Sequence, residues 1–124
     1  MKITEIHEGK YRENDVEEFV PNDEQLDKVK NKYLPDWEML DHRELTTMYV
    51  CQDHRQAEKM IGFINDLSEK MDHFAEVTQD VTEVKVKTST FDVKGLTVLD
   101  FQLAMSIDVW AEQKDIKQTS TAGN

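Results

Sequence analysis

Histidine is the side chain that titrates nearest neutral pH, so a search for proton-transfer chemistry in this chain starts at His7, His42, His54 and His73. The four are scattered, and His7, His42 and His54 read as surface or capping residues. His73 differs. It falls just past the end of the most strongly periodic helical stretch, four residues after Glu69, where an imidazole can either complement a helix C-terminus or face a cleft. Other chemistries find little to use. The chain has no glycine-rich phosphate loop, no His-x-x-x-His or Cys-x-x-Cys metal spacing and no serine or cysteine in an activating motif. The lone Cys51 follows Tyr49-Val50, reads as a structural cysteine at a strand, and has no second thiol with which to form an intramolecular disulfide.

Charge narrows the partners. Fifteen basic against twenty-six acidic side chains give a net charge of −11, which repels nucleic-acid phosphates and anionic lipid. Direct nucleic-acid binding is therefore not expected; the same charge favours partners with basic patches, while a solvated acidic surface with no specific partner is its commoner explanation. No apolar run approaches the roughly 20 residues of a membrane span, and the start of the chain lacks a secretory pattern, so no membrane contact and a cytoplasmic location are expected.

The elements that must position His73 follow from periodicity. A length of 124 residues with 38% hydrophobic content provides one modest core. Residues 1–20 show no period and are expected to form a flexible acidic extension; 113–124 are polar and small and are expected to be a disordered tail; the domain is 21–112. Asn22 or Asp23 can cap a helix carrying Leu26, Val29 and Tyr33, and Pro35 ends it. Trp37 to Leu40 and Leu45 to Cys51 fit a β-hairpin around Asp41-His42-Arg43-Glu44. From Asp53, the residues Ala57, Met60, Ile61, Ile64, Leu67 and Met71 fall on one helical face. Val84 and Val86 alternate with Lys85 and Lys87 as a half-buried strand, with Glu76 to Val81 as its partner. After a turn at Gly95, Thr97-Val98-Leu99-Asp100 has the form of a capping box opening a last helix. The expected fold is α+β, in the order α-β-β-α-β-β-α: a four-stranded antiparallel sheet with three helices on one face.

Glu69-x-x-x-His73, the strand running to Thr88-Ser89-Thr90, and Gly95-Leu96-Thr97-x-x-Asp100 together resemble the pterin-4a-carbinolamine dehydratases. That family's pattern runs E-x-x-x-H-H-P, a strand ending in S-T-H, then G-L-[ST]-x-x-D, and the spacing fits without a gap. Leu34-Pro35-x-Trp37-Glu38 is similar to its L-P-x-W-[EK] segment. The resemblance covers about 90 residues, from Pro21 to Val109. It implies a reaction that eliminates water from a 4a-hydroxytetrahydropterin by acid and base catalysis, with no cofactor or metal. It also implies that His73, Asp100 and Glu69 stand at vestigial catalytic positions, and that Phe74, Phe91 and Trp37 line the former substrate cleft. This sequence departs from the pattern where Phe74 and Phe91 replace histidines, where Ala75 replaces the proline, and where Val81 replaces a strand aromatic. Each lost acid or base typically costs about 10²- to 10⁴-fold in rate.

Two functions stay open. In the first, activity is lost or strongly reduced and the fold serves as an oligomeric protein-binding or assembly module, a homodimer or tetramer. Some members of the family act as dimerisation cofactors of transcription factors, and others look like assembly factors for RuBisCO in carboxysome-forming bacteria. In the second, the chain remains a 4a-hydroxytetrahydrobiopterin dehydratase that binds a pterin, with His73 as the remaining acid or base and Asp100 or Glu69 replacing a lost partner.

Overall fold

The computed structural model describes residues 22–90 and 95–119. The expected extension at 1–20, Phe91 and the last residues of the tail lie outside them. Helix α1 spans Asp23–Tyr33, and Asn22 caps it by accepting from the Gln25 amide at 2.8 Å. Strands β1 (Glu38–Leu40) and β2 (Glu44–Val50) form the hairpin. Its three-residue loop is tight because Asp41 and His42 both have positive φ, 53° and 56°, and the Arg43 amide bonds the Leu40 carbonyl at 2.9 Å. His42 then ties the loop to α1 through Asp27 at 2.9 Å.

Helix α2 (His54–Met71) starts at Asp53, which accepts from the Gln56 amide, and buries Ala57, Met60, Ile64 and Leu67 on its apolar face. Strands β3 (Glu76–Asp80) and β4 (Glu83–Thr88) follow, then α3 (Val98–Gln113). The sheet order is β1-β2-β4-β3, all antiparallel. Leu45 and Tyr49 of β2 and Val84 and Val86 of β4 turn inward. They share one core with Leu26 and Tyr33 of α1, Met60 and Ile64 of α2, and Phe101, Leu103 and Ala104 of α3.

Two expectations are corrected. The tail does not become disordered at 113: after α3 the chain buries Ile116 and forms β5 (Lys117–Thr119), antiparallel to Met48–Val50. The sheet therefore has five strands, with β1 and β5 sharing one side of β2 in succession. Val81 is not a strand residue. It sits in the β3–β4 turn, 69% exposed with φ 57°, a conformation that a β-branched side chain resists.

Candidate functional site

His73 owes its position to the way α2 ends. Asp72 adopts left-handed φ 52°, its amide bonds the Glu69 carbonyl, and the His73 amide reaches back to the Ser68 carbonyl at 3.0 Å. This pair of bonds is a Schellman ending, which fixes the backbone of the residue just beyond the left-handed one. On the other side, Thr97 opens α3 with a capping box: its hydroxyl accepts from the Leu99 amide, and Asp100 returns a carboxylate oxygen to the Thr97 amide at 3.0 Å. The 90–95 connection is pinched by a bridge between Thr90 and Gly95, so the end of β4 and the start of α3 meet.

These devices converge on Asp100, which is fully buried. Its Oδ1 accepts from His73 Nε2 at 2.6 Å and from the Thr88 hydroxyl at 2.5 Å. Oδ2 accepts from the Thr90 hydroxyl at 2.6 Å as well as from the Thr97 amide. Four donors surround one carboxylate, which is what allows an acidic group to sit in the interior. A carboxylate oxygen accepts, so the contact makes Nε2 the donor and leaves Nδ1 as the ring nitrogen turned away from Asp100. His73 is 8% exposed, so that nitrogen has little access to solvent.

The remaining expected site residues do not join this group. Phe74, next to His73, turns outward and is 65% exposed. Glu69 is exposed on α2, and no described residue hydrogen-bonds its carboxylate. Phe91 is outside the described residues. Trp37 is corrected from a cleft residue to a core residue: at 2% exposure it offers no ring face to a ligand, and its Nε1 donates to Asp108 at 2.9 Å while it packs edge-on to Tyr49. Cys51 is buried and unpaired, and burial, with Asp53 nearby, pushes its thiol up and away from nucleophilic use.

Three features escaped the sequence reading. Thr88 and Thr90 lie in the recognised Thr88-Ser89-Thr90 stretch, but their role as Asp100 donors needs the fold. Asp108 is a second enclosed carboxylate, on the same helix, receiving Trp37 and the Tyr49 hydroxyl at 2.5 Å. Burial raises Asp108 to about 6, against the pull of hydrogen bonds from Tyr49, Trp37 and Gln118. Its one sequence signal is an acid set between Ile107 and Val109. Tyr49 is raised well above its ordinary value, by burial first and then by Asp108, so it stays a neutral donor. Among the described residues no group of three or more His, Cys, Asp or Glu could hold a metal ion, and no helix is long and apolar enough to cross a membrane.

Comparison with known proteins gives the family and the fold. The family model for pterin 4 alpha carbinolamine dehydratase matches residues 20–110, and the chain belongs to that family. A relative assigned to it from Hydrogenovibrio crunogenus is 30% identical over 76 residues, 60% of this chain and 67% of its own length. Another, from Prochlorococcus marinus, is 34% identical over 77 residues, 62% and 79% of the two chains. The fold is shared with the crystal structure of a transcriptional coactivator/pterin dehydratase from Brucella melitensis, at a TM-score of 0.66 and 21% identity, covering 71% of this chain and 94% of that one.

Proposed function

We propose that this chain is a pterin-dehydratase-like protein whose dehydratase activity is lost or strongly reduced, and that it works in the cytoplasm as an oligomeric protein-binding or assembly factor. One observation carries this reading: His73 is the sole imidazole bonded to the Asp100 group among the described residues, and the neighbour that would supply a second is an outward-facing phenylalanine. Dehydration needs an acid for the departing hydroxyl and a base for the ring nitrogen, and a single imidazole held at 2.6 Å by a saturated carboxylate supplies at most one of them. A coactivator role named for the Brucella melitensis relative supports a protein-binding use of the fold. RuBisCO, the client suggested by the family resemblance, is the first to test: the chain should raise the yield of assembled RuBisCO from its subunits, and an unchanged yield removes that client.

The His73–Asp100 pair also favours a second reading, a slow dehydratase, because a buried carboxylate orienting an imidazole is how catalytic bases are held. Restoring the missing imidazoles separates the two. A Phe74→His/Phe91→His double variant should dehydrate a 4a-hydroxytetrahydropterin at least about 10²-fold faster than the natural chain. A natural chain well above a protein-free blank and already as fast as the double variant would sink the proposed function.

A further inference from the structure

The sheet face turned away from the helices carries a polar cluster that the His73 site does not use. Glu38, Thr46, Lys87 and Glu76 form one transverse row across four strands, since Glu38 pairs with Thr46, Thr46 with Lys87, and Lys87 with Glu76. The row floors an open concavity of about 400 Å³, to which Glu44 also contributes. Lys87 is shared between Glu76 at 3.2 Å and Glu44 at 4.0 Å. Thr46, in the middle of the row, is 2% exposed, and its Oγ1 is buried without a hydrogen-bond partner, the one side-chain polar atom so placed among the described residues. A buried hydroxyl is normally satisfied, and one that is not marks a place where something else supplies the bond.

We propose that this open face docks a basic segment of a partner protein, seating an arginine or lysine side chain that donates to Thr46 Oγ1 and pairs with Glu44 and Glu76. The proposal rests on the protein-binding reading above and gives the partner its chemistry. Charge selects the occupant: carboxylates outnumber ammonium groups around the concavity, and the whole chain carries −11, so an anionic ligand is repelled and a cationic one is steered in. Scale fits as well. Four strands at about 4.8 Å spacing span about 14 Å, the reach of roughly four extended residues. Lys87 is then a resident competitor for the carboxylates that the incoming cation needs.

The test is an NMR titration of the labelled full-length protein with an arginine–glycine nonapeptide, beside a glutamate–glycine nonapeptide of the same length. Amides of 44–46, 76–78 and 85–87 should shift with the basic peptide and not with the acidic one. Thr46→Val, which leaves charge untouched, should weaken binding roughly tenfold while raising the melting temperature, because the unsatisfied hydroxyl is gone. Lys87→Gln should tighten binding. Shifts scattered over the acidic residues of the helices, or Thr46→Val binding as well as the natural chain, overturn the proposal. Shifts of the same amides on concentrating the protein alone would assign the face to a second copy and also overturn it. Dehydration measured on the same preparation keeps the two readings apart: a His73-dependent rate as fast as that of the Phe74→His/Phe91→His variant removes the loss of activity in the reading above, whereas silent peptide titrations without a rate remove only this face.

Discussion

Asp100 is the residue on which three elements depend. The end of α2 reaches it through His73, the end of β4 through Thr88, and the start of α3 through its own capping box. Removing it would leave two hydroxyls, an imidazole and an amide facing an empty acceptor site in a dry interior. Asp100→Ala is therefore expected to lower unfolding stability by about 3–5 kcal/mol in urea titration, the range for breaking a buried charged network from one side. A loss under about 1 kcal/mol would mean that water replaces the carboxylate freely. Asp108 gives a different signature. Its folded value, about 6, lies above the ordinary 3.8, so between those pH values the folded protein holds the proton more tightly than the unfolded chain. Its contribution is fully present below about pH 4 and is lost as pH rises through 6. Stability of the natural chain should thus fall between pH 4 and 7 relative to Asp108→Asn, by on the order of 2 kcal/mol. Parallel stability curves for the two proteins would show that Asp108 titrates like an exposed carboxylate.

At the scale of elements, the sequence was most legible where a local rule decides the outcome. Asn22 or Asp23, and Thr97 with Asp100, announced two helix starts through capping chemistry, of which Asn22 and Thr97 are the caps, and the change to a 3.6 period announced the third at Asp53. The 3.6 period of Ala57 to Leu67 announced which face of α2 is buried. His73 and Asp100 were both singled out through their motif, but their contact joins positions 27 apart and only the fold makes it. Strand β5 was illegible for a related reason. Lys117-Gln118-Thr119 has no alternation of its own, and its order comes from pairing with Met48–Val50 and from the anchor that Ile116 drops into the core. Trp37 was misjudged because an aromatic at a motif position can serve the core or a ligand, and Asp108, its core partner, lies 71 residues away. Ile116→Ala should destabilise the domain by about 2–4 kcal/mol and abolish amide-exchange protection across 117–119. A disordered tail would leave both unchanged.

The whole molecule carries a −11 field, and among the described residues it joins a sheet open on one side to an enclosed His–Asp pair on the other. Field and open face suit capture of a basic partner. The enclosed pair, with Phe74 turned outward beside it, suits a catalytic centre that has kept its scaffold and lost its proton relay. The most direct test of that claim is steady-state dehydration of a synthetic 4a-hydroxytetrahydropterin by the full-length protein, beside His73→Ala and a protein-free blank. The account predicts three traces that coincide or nearly so. A natural chain well above the blank, with the excess abolished in His73→Ala, would contradict it and make the chain a working dehydratase with a rebuilt site.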